Sequence, residues 1–149
     1  MILISHRGNI NGRILELENL PMYIDDAINF GYNVEIDVWT IDGIFYLGHD
    51  GPDHKIDPSW LNDRSTKLWV HCKNIECIEY LVKNNSSLNY FWHQEDSVAL
   101  TSKNYIWAYP GKQPIENSIS VLPEIYEDDV SKCIGICSDF IENYKNPIF

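Results

Sequence analysis

The chain has 149 residues, 44% of them hydrophobic and 22% charged, with a formal net charge of −11. That length and balance fit one globular domain, residues 1–149, around a single core, and they exclude a disordered chain. The acidity argues against a nucleic-acid partner, which needs a basic stripe, but it leaves room for a small phosphate ester held by a few local cations.

In chain order, the first run, Ile2 to Ser5, is β-rich and leads into His6-Arg7-Gly8. Met1-Ile2-Leu3-Ile4 is too short an apolar stretch for a signal peptide, and no segment reaches membrane-spanning length, so a soluble, cytoplasmic protein is the expectation. Leu20 to Phe30 places Leu20, Tyr23, Ile24, Ala27 and Ile28 at helical spacing, and Gly31 ends it. Asn33 to Trp39 reads as a strand, followed through Asp42-Gly43 by a short hairpin partner, Ile44 to Leu47. Lys67 to Lys73 is a third long strand, and Asn74 to Val82 a second helix with Ile75, Ile78, Leu81 and Val82 on one face. Further strands are expected at Tyr90 to His93, Tyr105 to Tyr109, Ser118 to Leu122 and Cys133 to Cys137. The connections Glu95 to Ser102 and Pro123 to Lys132 leave room for one or two helical turns each.

Strands alternating with helices imply parallel βα units. With the hairpin partner set aside, about seven main strands remain. The expected fold is therefore a reduced (β/α) barrel of the TIM type with shortened outer helices, an open α/β sheet being the other possibility. The four cysteines, Cys72, Cys77, Cys133 and Cys137, lack the C-x-x-C spacing of a zinc site and read as buried thiols.

Alternate side chains of a strand share a face. Glu35 and Asp37 therefore point one way, while Val34, Ile36 and Val38 point back into the apolar layer. Two buried carboxylates side by side are costly unless a cation lies between them. Trp69, His71 and Lys73 likewise share a face of their strand, so two strands end in polar groups aimed inward. His49-Asp50 follows the hairpin and lies in a turn-rich stretch. His54 reads as a loop residue, His93 could line the barrel mouth but has no motif partner, and the aromatic runs at Tyr90-Phe91-Trp92 and Tyr105-Ile106-Trp107 read as core and barrel lining.

The order His6-Arg7-Gly8, Glu18-Asn19, Glu35-x-Asp37, His49-Asp50 resembles the glycerophosphodiester phosphodiesterase family, within the phospholipase-C-like phosphodiesterase barrels. The likeness spans residues 2 to 73 and returns at Gly135-Ile136-Cys137-Ser138-Asp139-Phe140. It implies a metal-dependent phosphoric diester hydrolase of lipid metabolism, acting on a glycerophosphodiester or related small phosphodiester. His6 and His49 would be the catalytic acid and base, and Arg7 and Lys73 would bind the phosphate. Glu35 and Asp37 would hold the metal, with Glu18 or His71 completing its shell. Mg²⁺ or Ca²⁺ is the expected ion. His71 stands where the family carries a third glutamate, which opens the site to Mn²⁺ or Zn²⁺. The alternative reading is a non-catalytic module that binds a phospho-ligand or metal on a degenerate scaffold.

Overall fold

The computed structural model describes residues 1–84 and 86–146. Its elements are β1 (Ile2–His6), α1 (Pro21–Asn29), β2 (Asn33–Ile41), β3 (Ile44–Leu47), β4 (His54–Ile56), α2 (Pro58–Asp63), β5 (Leu68–Cys72), α3 (Ile75–Lys83), β6 (Asn89–Trp92), β7 (Val98–Leu100), β8 (Ile106–Ala108), β9 (Ser118–Val121) and β10 (Gly135–Ser138). Two 3₁₀ turns follow β9 and β10, at Pro123–Ile125 and Ile141–Tyr144. No helix among the described residues is long and apolar enough to cross a membrane.

All ten strands belong to one mixed sheet. Parallel ladders run in the order β6-β5-β2-β1-β10-β9-β8. Antiparallel hairpins extend it: β3 pairs the end of β2, β4 pairs β3, and β7 pairs β8. The sheet curls into a half-barrel. This corrects the expected TIM-type barrel: among the described residues no ladder joins β6 to β8, and after β6 no α-helix separates the strands. Instead, the chain at Ser102 covers the β6 edge through Ser102 N to Tyr90 O at 2.8 Å and Tyr90 N to Ser102 Oγ at 2.9 Å.

The reason for the missing helices lies in the strands themselves. A covering helix needs an apolar sheet face to bury against. On β2 and β5 the outward residues Val34, Ile36, Val38, Leu68, Val70 and Cys72 provide one, and they pack with Ile24, Ala27, Cys77 and Leu81 from α1 and α3. On β9 and the end of β10 the outward residues are Ser118, Ser120 and Ser138, all fully buried under loops. Ser118 Oγ, for example, donates to Ile115 O at 2.8 Å. Ser138 Oγ donates to Glu124 Oε1 at 2.9 Å, and small hydroxyls of this kind offer no apolar face for an amphipathic helix.

Other boundaries moved for local reasons. Glu95 to Ser102, expected to hold helical turns, contains strand β7, which finds a partner in β8. His54 lies in β4 rather than in a loop, and Cys133 precedes β10 instead of starting it. Helix α2 went unrecognised because six residues carry too little periodicity; Pro58 at its first turn and Asp57, whose side chain accepts from Ser59 N, mark its start.

The concave face is filled at its lower level by Ile4, Trp69, Phe91, Trp107, Ile119 and Cys137. Strand parity places His6 above Ile4, Glu35 and Asp37 on the same face of β2, and His71 above Trp69. The register pairs Glu35 with Trp69 and Asp37 with His71 on adjacent parallel strands. An aromatic floor thus carries a polar upper level at the strand C-terminal ends.

Candidate active site and metal centre

That upper level opens into a cavity of about 600 Å³. His6, Arg7, Glu35, His49, His71 and Lys73 line it, with Trp39, Trp92, Trp107, Tyr109 and Leu122 as an aromatic and apolar wall. Asp37 is fully buried immediately behind them.

Arg7 sits at a sharp turn, with φ of 56° followed by Gly8 at 95°. The turn is held by Arg7 N to Glu35 O at 3.0 Å and Asn19 N to Arg7 O at 3.1 Å. A left-handed arginine is uncommon, and such backbone is held where the surroundings determine it. The turn aims the guanidinium into a nest of acids. Nη1 donates to Glu18 Oε2 at 3.2 Å, Nε lies 3.0 Å from Asp37 Oδ2, and Nη2 donates to His49 Nδ1 at 2.7 Å.

Glu18 also accepts from Asn9 Nδ2 at 3.0 Å and Arg13 Nε at 2.9 Å. Burial would raise its pKa, but Arg13, Asn9 and Arg7 hold it below the usual carboxylate range. Glu18 is therefore a counter-ion for arginines. It is not one of the side chains whose ligand atoms cluster for a metal, which are Glu35, Asp37 and His71, all within 4.8 Å of one another.

Asn19 clamps Asp37 twice: its Nδ2 donates to Oδ2 at 2.9 Å, and its Oδ1 accepts from Asp37 N at 3.0 Å. Burial would raise Asp37, but the neighbouring His49 and His71 rings and the Arg7 charge hold it well below the ordinary range. Glu35 moves the other way, raised by burial and by the adjacent Asp37 charge. The surroundings thus favour the charged form of Asp37 and disfavour that of Glu35.

His6 reaches the cavity with its orientation set from behind. Its Nδ1 lies 2.7 Å from Asp139 Oδ1, and an ionised carboxylate only accepts, so Nδ1 carries the proton. Nε2 then faces Glu35 Oε2, 3.8 Å away. Burial opposes a charge on His6, but Asp139 and Glu35 outweigh it and raise the ring above the ordinary imidazole value. Asn9, fully buried, joins the two halves of the site by donating to both Asp139 Oδ1, at 2.9 Å, and Glu18.

The sequence reading gave no role to Asp139 or Asn9, and placed His93 at the mouth without assigning it one. Asp139 was visible only as the end of the closing strand. Asn9 follows the His-Arg-Gly turn with nothing to mark it. His93 had no motif, yet its ring lines the cavity stacked on Tyr109 with centroids 3.4 Å apart, and its carbonyl accepts from His71 Nε2 at 3.2 Å. Burial and the proximity of His71 push the His93 pKa down to about 4. Asp50, adjacent to His49, is almost fully exposed and only borders the mouth.

A divalent metal fits the donors present. Glu35 Oε2 and Asp37 Oδ1 are buried oxygens with no hydrogen-bond partner among the described residues. Such oxygens are costly unless a cation satisfies them. No family model matches this chain, and comparisons with curated proteins and with solved structures likewise give no match.

Proposed function

We propose that this protein is a metal-dependent phosphodiester hydrolase for a small glycerophosphodiester-like substrate, working by histidine acid–base catalysis. The observation that carries the reading is the convergence of two histidines, an arginine, a lysine and a buried carboxylate pair on one cavity. A cation bound by Glu35 and Asp37 would polarise a phosphoryl oxygen.

The chain's own groups supply the rest. Arg7 and Lys73 bind the phosphate oxygens and offset the charge that builds on them. Lys73 Nζ lies 3.8 Å from Asp37 Oδ1, so it is anchored without being consumed by a hydrogen bond. His6, with its Nδ1 proton on Asp139, presents Nε2 to the cavity as a base for the attacking hydroxyl. His49 stands at the mouth with its side chain 40% exposed, and its Nδ1 accepts from Arg7. A phosphate that draws Arg7 away would free that nitrogen to take a proton from solvent and pass it to the leaving alcohol. The nucleophile is either water or a neighbouring hydroxyl of the substrate itself.

The test is hydrolysis of a panel of small diesters, with and without added Mg²⁺, Ca²⁺ and Mn²⁺. Metal-dependent turnover lost in both His6→Ala and Glu35→Gln is the expected result, with general acid–base catalysis accounting for a fall of ~10²-fold or more in the histidine variant. Diester or metal binding without turnover in the wild type would instead identify a non-catalytic module.

A further inference from the structure

We infer that Glu35, Asp37 and Nδ1 of His71 form a mixed carboxylate–imidazole site selective for borderline transition-metal dications, the Co²⁺–Zn²⁺ class, over Mg²⁺ and Ca²⁺. The inference deepens the hydrolase reading, on which the use of the metal rests; the binding itself rests on the donor geometry alone.

The argument turns on which nitrogen of His71 faces the acids. Its Nε2 lies 3.2 Å from the carbonyl oxygen of His93. A carbonyl only accepts, so Nε2 carries the proton and a neutral ring has its lone pair on Nδ1. Nδ1 is the atom turned toward the carboxylates, 3.1 Å from Asp37 Oδ1 and 3.9 Å from Glu35 Oε1. The shorter approach is not aligned as a hydrogen bond, since Asp37 Oδ1 has no hydrogen-bond partner. Three electron-rich atoms therefore face one another within 4.8 Å, and the two acids are 3% and 0% exposed. A cation among them resolves that opposition.

The surrounding charges do not supply it. Lys73 Nζ stands 3.8 Å from Asp37 Oδ1, and His6 Nε2 stands 3.8 Å from Glu35 Oε2, both beyond hydrogen-bonding distance. Arg7 Nε approaches Asp37 through its other oxygen, Oδ2.

The ring is also held in place in advance. It stacks on Phe91 with centroids 5.2 Å apart and planes 9° apart. The His93 carbonyl that orders it belongs to a residue whose own ring is stacked on Tyr109. A ligating imidazole whose second nitrogen donates to a carbonyl is the usual arrangement around protein-bound transition metals. An imidazole donor suits borderline ions such as zinc and cobalt, whereas magnesium and calcium take oxygen ligands.

The experiment measures metal binding on the full chain after chelator treatment, with no substrate present. Mg²⁺, Ca²⁺, Mn²⁺, Co²⁺ and Zn²⁺ are titrated calorimetrically into the wild type and His71→Glu. The ¹⁵N resonances of His71 are followed in the wild type during Zn²⁺ addition, a readout that does not depend on the variant's folding. Zn²⁺ and Co²⁺ should bind the wild type at least about tenfold more tightly than Mg²⁺. His71→Glu should lose about 10–100-fold in Zn²⁺ affinity and gain in Mg²⁺ and Ca²⁺ affinity. The Nδ1 resonance should shift on Zn²⁺ binding while Nε2 keeps its proton. An unmoved Nδ1 resonance, or a Zn²⁺ affinity equal in the two proteins, would overturn the assignment. Metal bound through Nδ1 without diester turnover would support this site while defeating the hydrolase reading. Mg²⁺-dependent turnover unchanged in His71→Glu would defeat this site while supporting the hydrolase.

Discussion

At the scale of single residues, the site is a set of charges that hold one another in place. His6 and Asp139 show how this becomes a pH dependence. The fold raises His6 above its ordinary 6.5, because the Asp139 hydrogen bond and Glu35 charge overcome burial. It lowers Asp139 below its ordinary 3.8, since the His6 interactions overcome burial there too. The raised histidine contributes stability that is complete below 6.5 and is lost as pH rises through its folded value. The lowered aspartate contributes above 3.8 and loses its share as pH falls through its folded value. The pair therefore counts most between those limits. Asp139→Asn should cost about 1–3 kcal/mol at about pH 5.5 and clearly less at alkaline pH. Urea unfolding of both proteins across that range checks it, and an equal loss at both ends would show that the pair is not ionic.

At the scale of elements, the site depends on how β2, β5 and α3 are joined. Asn74 precedes α3, and its Oδ1 accepts from Cys77 N at 3.3 Å, which caps the helix. The same side chain grips β2 beyond Glu35 and Asp37: Nδ2 donates to Thr40 O at 2.7 Å, and Oδ1 accepts from Thr40 N at 3.1 Å. One asparagine thus ends a strand, starts a helix and ties the two together. Asn74→Ala should remove a cap worth about 1 kcal/mol and the two backbone bonds besides, for a total of about 2–3 kcal/mol. Thermal or denaturant unfolding measures it. A change below about 0.5 kcal/mol, the scale of ordinary surface substitutions, would mean that water replaces the asparagine at no cost.

Across the whole molecule, the back of the sheet is closed by a small separate cluster of Tyr32, Ile136 and Ile141. Tyr32 leads into β2, and its hydroxyl donates to Glu142 in the turn after β10, so a contact across 110 positions secures the last segment. Burial and that carboxylate push the Tyr32 hydroxyl up to about 12, from an ordinary 10.0. A group raised in the fold contributes in full below its unfolded value and loses that contribution as pH rises through the folded one. The wild type should therefore lose stability from pH 10 to about 12 through this residue. Tyr32→Phe should flatten that alkaline limb while costing about 1 kcal/mol at neutral pH. Denaturation midpoints of the two proteins between pH 7 and 12 test this, and parallel curves would assign the alkaline loss to other groups.

What the sequence determined by itself was whatever depends on neighbours in the chain. Period-two alternation placed Glu35 and Asp37 on one face and His71 and Lys73 on another, and the register of β2 against β5 joins those faces. Asp42-Gly43 announced the antiparallel hairpin of β2 and β3, and helical spacing announced α1 and α3. The architecture was decided by contacts that alternation does not encode. Outward serines on β9 and β10 become buried under loops instead of helices, and β7 becomes a strand because β8 offers an edge. The supporting side chains were hidden for the same reason. His6 and Asp139 are separated by 133 positions, and Asn9 spans 130 to reach the same carboxylate. Glu18 shows the complementary case: its motif suggested a metal ligand, but the arginines folded against it made it their counter-ion. Local spacing fixes which way a side chain points, whereas its charge state and partner depend on what the rest of the chain brings to meet it.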